Sequence, residues 1–278
     1  MTSYLKIQKR YMEIDPAVIK YTLNHKFAPP SLHAKKFYSS IDISDLPPKS
    51  DISSYGPAIW DQGDLGSCSA HGTIRCYLYA LNKKTDSLQH PRTYSSRPSR
   101  AFCYTMTRIL EGEPVDQDTG GTVEGALNAI AKYSLPDEKY WEYVEDNFFV
   151  EPSIEVKQKA IRFHRFKIRH IEQQEHEIKK AIFNNHPVAI GLKVYSSFLS
   201  KNTMATGTIP IPHGEQLQGG HCVSIVGYDD DSRMFLFANS WGLSVGLPEK
   251  KGYFNIPYDY ILNPDLASDF WICQDVSF

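Results

Sequence analysis

The sequence predicts an α+β fold of two lobes, the first helical and the second sheet-rich, with a cleft between them. Two observations carry this. Before about residue 155 the apolar positions fall at helical spacing, and after about residue 160 short apolar or alternating runs are separated by turns. No internal repeat or low-complexity tract suggests a modular array, and 278 residues suffice for one large domain or two modest lobes sharing a core.

The first 45 residues are mixed and punctuated by Pro29-Pro30 and then Pro47-Pro48, so they read as an extension; Met12 to Leu23 within them is expected to form a short helix. Residues 68–84 carry Cys68, Ile74, Leu78 and Leu81 on one helical face. A second helix is expected over Pro98–Glu111, where Phe102, Thr105, Met106 and Ile109 share a face. A third is expected over Val123–Tyr133, entered through the flexible Gly120-Gly121 pair. HRFKIRHI then alternates Phe166, Ile168 and His170 against Lys167 and Arg169, as a half-buried strand does. Glu175–Asn184 reads as a helix, followed by PVAIGLKVY, HCVSIVGYD, MFLFANSW and GYFNIP as strands, with a turn at Asp229-Asp230-Asp231. The expected organisation is an extension over 1–45 and one domain over 46–278, with a helical lobe at roughly 60–155 and a sheet-rich lobe at roughly 160–278.

Composition excludes several classes. A net charge of −2 with 22% charged residues gives no reason to expect nucleic acid or an anionic membrane as partner. No run approaches the roughly 20 apolar residues of a membrane span, and the opening MTSYLKIQKRYMEIDP lacks the apolar core of a secretory signal. The five cysteines (68, 76, 103, 222, 273) are odd in number and form no CxxC pair. Reduced thiols in an intracellular, reducing compartment are therefore expected. His164, His170 and His176 lack the acidic or thiol neighbours that would complete a metal site, and no metal or cofactor is expected.

Chemistry concentrates around DQGDLGSCSA. Cys68 follows a Gly-Ser corner in the first turn of the expected helix, where unpaired backbone N–H groups and the positive dipole end favour a thiolate. His221 opens an apolar strand after Gly219-Gly220, and Asn239 follows eighteen residues later at the end of MFLFA. A hairpin turning near Asp230 would bring the two together, so that the amide oxygen fixes the imidazole tautomer while Trp241 shields the bond. Gln62, six residues before Cys68, is placed to join the Cys68 N–H in holding an oxyanion.

The set Gln62, Gly66-Ser67-Cys68, Gly219-Gly220-His221-Cys222, Asn239-Ser240-Trp241-Gly242 and Gly252-Tyr253-Phe254 resembles the papain-like cysteine peptidases, from about Leu46 to the C-terminus. LGSCSA, PSRAF, PVAIGLKVYSSF, GGHCVSIVGYDD and IPYDYI are most similar to the bacterial, archaeal and viral branch. If the chain is viral, virion or host cytoplasm joins the expected locations. The resemblance implies a helical left lobe and a β-barrel-like antiparallel right lobe. It also implies an endopeptidase working through a Cys68 thioester, with His221 as acid/base, Asn239 as orienter and Gln62 as oxyanion donor. Peptides or proteins would be the substrates, and no inference about oligomeric state follows.

Gly120-Gly121 correspond to the glycine pair that hydrogen-bonds substrate backbone in the family. By the same alignment, Thr122, Val123, Gly191, Gly220, Cys222 and Leu266 line the pocket for the second side chain before the cut, with Trp241 near the base. That lining is uncharged, so bulky apolar or aromatic side chains are expected there. Two departures stand out: Leu65 replaces a cysteine that commonly braces the loop through a disulfide, and Ser69 replaces a tryptophan beside the nucleophile. The extension has two readings, an arm packed on the lobes or a short propeptide across the cleft. Two functional alternatives remain open: a catalytically silent binding protein of the same fold, and a thiol amidase or transglutaminase-type acyl-transfer enzyme.

Overall fold

The structure, a computed structural model, describes residues 13–87, 97–160 and 165–277. In chain order the elements are β1 (Lys49–Asp51), α1 (Cys68–Ser87), α2 (Arg100–Leu110), α3 (Val123–Tyr133), α4 (Ile154–Gln158), β2 (Arg165–His170), α5 (Glu175–Phe183), β3 (Val188–Tyr195), α6 (Lys201–Thr206), β4 (Leu217–Asp229), β5 (Met234–Ala238), β6 (Gly246–Leu247), β7 (Lys250–Lys251), β8 (Tyr253–Pro257), α7 (Tyr258–Leu262) and β9 (Ala267–Ser277). Strands pair antiparallel in the order β2-β9-β3-β4-β5-β8, with β1 added alongside β4 and β6-β7 forming a separate two-stranded ribbon.

The helices and the sheet each carry a core of their own. α1, α2 and α3 enclose a core of Ile74, Leu78, Leu81, Phe102, Met106, Leu127 and Ile130, while the sheet buries Ile190, Val194, Ile225, Phe235, Phe237 and Phe254 on its own side. Ala189, Cys222, Trp271 and Cys273 from the sheet complete the helical core, so the lobes share a packed seam. Caps set the helix starts. Ser99 accepts the Phe102 N–H at 3.1 Å and Thr122 accepts the Gly125 N–H at 2.8 Å, each satisfying a donor the first turn leaves free.

The sheet-rich lobe is an antiparallel seven-stranded sheet with β2 and β8 at its two ends, not closed into a barrel. One expectation needs correction: Met12–Leu23 does not form the expected helix. Among its described residues there is one 3-10 turn, Pro16–Val18, begun by an Asp15 cap, and beyond Tyr21 other parts of the molecule take the backbone hydrogen bonds. Residues 267–277 carry a full strand, β9, paired with β2 and β3.

α1 runs directly across the seam. A Cβ at Gly72 would stand 2.9 Å from Cys222 Sγ, and Ser224 Oγ donates to the Gly72 carbonyl at 3.0 Å. Glycine is needed there because helix and strand approach so closely. Gly72→Val is expected to overpack the seam by about 1–3 kcal/mol and to lower the Tm by roughly 2–10 °C, measured by calorimetry.

The extension is not a free arm. Asp15 N–H donates to Leu199 O at 2.8 Å, and Val18, Tyr21, His25 and Phe37 are buried. The chain then crosses between the lobes, pairs with β2 through Phe37 N–H to His170 O at 2.8 Å, and enters β1. Residues 13–48 thus form a strap around the molecule.

Candidate active site

Cys68 is the first residue of α1 and is fully buried. Backbone N–H groups of Cys222, Ser69 and Cys68 itself face the sulfur and favour its anion, but burial outweighs them and pushes the thiol up to about 12. The Cys222 N–H that favours the anion belongs to β4, where the preceding residue is His221. His221 Nε2 bonds Asn239 Oδ1 at 2.8 Å, the contact expected from the β4–β5 hairpin, whose register pairs Ser224 with Ala238. Trp241 stacks on the imidazole at 4.8 Å between centroids. Asn239 Oδ1 also accepts the Ser240 N–H at 2.8 Å, which holds the amide in one orientation.

His221 Nδ1 is buried without a hydrogen-bond partner among the described residues. Burial lowers this imidazole to about 4 against the raising effect of the Asn239 bond. Thiol and ring are therefore both neutral in this state of the molecule. Once the cleft opens to water the desolvation that keeps them neutral relaxes.

Gln62 is fixed from three sides. Its Oε1 accepts the Ser240 hydroxyl at 2.6 Å, its backbone N–H donates to Ser240 O at 2.8 Å, and its Nε2 donates to Leu65 O at 3.0 Å. The remaining reach of Nε2 is taken by the strap: Thr22 O lies 3.4 Å away. His71, one turn after Cys68, is committed elsewhere, with Nδ1 at 3.0 Å from Ser67 O and Nε2 at 3.1 Å from Arg100 Nη1.

The strap fills the cleft from one end to the other. Tyr21 stacks on Trp241 at 5.1 Å and donates to Trp241 O at 2.9 Å. Leu23 O accepts the Gly220 N–H at 3.1 Å, His25 N–H donates to Gly220 O at 3.0 Å, and Lys26 N–H donates to Gly121 O at 3.2 Å. Asn24 lies against Gly66 and Gly120, where a Cβ on either glycine would fall 1.9 Å from an Asn24 oxygen. His25 enters the pocket beside Gly191, whose added Cβ would stand 2.3 Å from His25 Nε2. Glycine at these positions leaves room for an extended segment.

Of the expected lining, Gly120, Gly121, Gly191 and Gly220 meet the strap directly, and Trp241 stacks at its other end. Val123 and Thr122 begin α3 beside them; the Thr122 hydroxyl donates to Glu111 at 2.6 Å. Leu266 is buried against β3, its carbonyl accepting the Lys193 N–H at 2.9 Å. The Cys222 sulfur packs toward the seam, 2.9 Å from where a Cβ on Gly72 would stand. The pocket also holds an acid, Asp269, which burial pushes up to about 7. Asp269 closes it, with Oδ2 accepting the Val123 N–H at 3.0 Å, Oδ1 accepting the Trp271 indole N–H at 2.5 Å, and Oδ2 standing 3.5 Å from His25 Nε2. Sequence reading missed Asp269, although an acid inside the run ASDFWIC was a signal. It also missed Asp118, which anchors Gly66 N–H at 2.8 Å and accepts from Asn24 Nδ2 at 3.1 Å.

The five cysteines are all free and buried, and among the described residues no cluster of His, Cys, Asp and Glu could hold a metal ion. His164 lies outside the described residues.

Comparison with known proteins places the chain in one family. The model of the papain family cysteine proteases matches residues 46–267. A peptidase C1-like protein of Acanthamoeba polyphaga mimivirus is 37% identical over 226 residues, covering 78% of this chain and 70% of that protein. The structure of xylellain, a cysteine protease from Xylella fastidiosa, superposes with a TM-score of 0.75 at 29% identity, covering 91% of this chain and 97% of that one. Digestive procathepsin L 3 of Tenebrio molitor shares the fold at a TM-score of 0.62 and 18% identity, over 87% of this chain and 74% of that one. The chain belongs to the papain family of cysteine proteases and is a thiol hydrolase acting on peptides or proteins.

Proposed function

We propose that the protein is an endopeptidase using Cys68, His221, Asn239 and Gln62, kept latent by residues 20–27 of its own strap. The observation that carries this reading is the joint placement of a helix-initiating sulfur beside β4, a partnerless His221 Nδ1 and an Asn239-held Nε2. With peptide bound, the Cys68 thiolate attacks the scissile carbonyl, and Gln62 Nε2 with the Cys68 N–H receives the negative oxygen. The C–N bond then breaks as protonated His221 gives its proton to the leaving amine. Water, deprotonated by His221, cleaves the thioester to a carboxylic acid and restores the thiol.

Latency follows from chain direction. By the family alignment, a substrate places the residues preceding its scissile bond toward Gly191 and those following it toward Trp241. The strap runs the other way, from Tyr21 at Trp241 to His25 at Gly191. It covers the cleft without presenting a bond in the attacked orientation.

Asn239→Ala removes the acceptor of a buried imidazole N–H, worth about 1–3 kcal/mol, so a fall of roughly 10- to 100-fold in kcat/KM toward a fluorogenic peptide is expected. Unchanged kcat/KM would contradict the role given to Asn239. A protein that binds the peptide but never turns it over would favour the silent-binder alternative.

A further inference from the structure

The cleft and its flank are charged in one sense, and the strap answers that charge residue by residue. Lys20 Nζ lies 3.3 Å from Asp61, Asn24 Nδ2 3.1 Å from Asp118, His25 Nε2 3.5 Å from Asp269 and Lys36 Nζ 2.6 Å from Glu172, while Lys26 pairs with Glu113 and the Ser31 hydroxyl donates to Glu124 at 2.6 Å. Each partner on the strap is a cation, an imidazole or a hydrogen-bond donor. Each partner on the body is an acid. When the strap leaves, these six carboxylates lose their strap partners together, while Asp118 and Asp269 keep their bonds to the body.

Asp269 stands apart because it is enclosed. Its side chain is 1% exposed and that of His25 is 0% exposed. Val123 and Trp271 occupy one lone-pair direction on each oxygen, leaving the carboxylate acceptor capacity toward the pocket. His25 comes to 3.5 Å but makes no hydrogen bond there, and both its ring nitrogens are buried without partners among the described residues. The imidazole is a stem too short to complete the contact that the pocket offers. A groove of about 380 Å³ adjoins Asp269, walled by the strap residues Phe27 and Pro29 on one side and by His170, Ser268 and Phe270 of the body on the other, so departure of the strap opens it further. There is room for a longer side chain.

Resting on the peptidase reading, we infer that Asp269 makes the pocket for the second residue before the scissile bond selective for a basic side chain, so that the substrates are basic peptide segments. An arginine or lysine there brings donors to the enclosed carboxylate, whereas a leucine or phenylalanine buries it with part of its capacity unmet. The acids along the cleft add a longer-range attraction that salt weakens. This replaces the apolar preference expected from the uncharged lining. It also explains the strap's composition: His25 and its neighbours imitate the charge of a substrate while running in the reverse direction.

The test uses the full-length protein and two peptidyl epoxides identical except for arginine or leucine at that position, following alkylation of Cys68 by mass spectrometry. The arginine probe is expected to label roughly 10- to 100-fold faster, and Asp269→Asn, which keeps an acceptor for Val123 or Trp271, is expected to abolish most of that ratio. The ratio is read in Asn24→Asp, whose strap is loosened, so that strap release does not limit labelling; equal rates, or a leucine preference, there overturn the inference whether or not the Asp269 variant folds. A ratio that survives Asp269→Asn in folded protein overturns the assignment to Asp269. If neither probe labels Cys68, even after Asn24→Asp has loosened the strap, the peptidase reading fails and this inference fails with it.

Discussion

Cys68→Ala is expected to reduce peptide hydrolysis to background, a loss of at least about 10⁴-fold, while leaving the fold intact. The magnitude follows from the role. Among the described residues the other groups at the site are poor substitutes, because His71 is held by Ser67 and Arg100, the Cys222 sulfur faces Gly72, and the nearby serine hydroxyls are far weaker nucleophiles than a thiolate. The stability cost should be small by comparison, since replacing a buried thiol with a methyl group leaves a cavity of only one sulfur's size. Hydrolysis by purified Cys68→Ala at wild-type rate would place the chemistry elsewhere.

Asn24→Asp is expected to act in the opposite direction and raise activity. Asn24 Nδ2 donates to the Asp118 backbone carbonyl at 3.0 Å and to its carboxylate at 3.1 Å. The substitution removes both bonds and sets a second carboxylate against the first. Losing two partly buried hydrogen bonds and adding like-charge repulsion costs the docked strap about 2–4 kcal/mol, which raises the released fraction by roughly 30- to 1000-fold until release is complete. The domain beneath loses no contact of its own, because Asp118 keeps the Gly66 N–H and the Tyr104 hydroxyl. Peptide turnover and the rate of Cys68 alkylation should rise together. If neither changes, the strap does not limit access to the thiol.

Much of this site was legible in the sequence because its signals are local. A cysteine at a helix start, a histidine opening an apolar strand and an asparagine ending the next need only one hairpin to meet, and the Asp229-Asp230-Asp231 turn supplied it. Gln62 was legible as a donor but not as one fixed by Ser240 178 residues away. What stayed hidden depends on long-range placement. Met12–Leu23 has helical spacing, yet the local preference yields to backbone bonds with Leu199 and, just beyond, with Gly220. Asp269 enters the pocket from β9, 201 residues after Cys68 (269 − 68), with a backbone φ of +64° that no pattern announces. Strand position alone did not say which side of β4 would meet α1: His221 faces Trp241, while the sulfur of its neighbour Cys222 packs toward Gly72 of the helix.

The account depends on a sulfur and an imidazole kept neutral only while residues 20–27 exclude water. Measuring Cys68 alkylation by iodoacetamide from pH 4 to 10, in wild type and in Asn24→Asp, tests this directly. In wild type, burial raises the thiol to about 12 and lowers His221 to about 4, so slow reaction through neutral pH is predicted. In the released variant the thiolate–imidazolium pair should give fast alkylation already present between pH 5 and 7, well below the roughly 8.5 of an ordinary cysteine. A single rise near 8.5 in both proteins would contradict the pairing of Cys68 with His221.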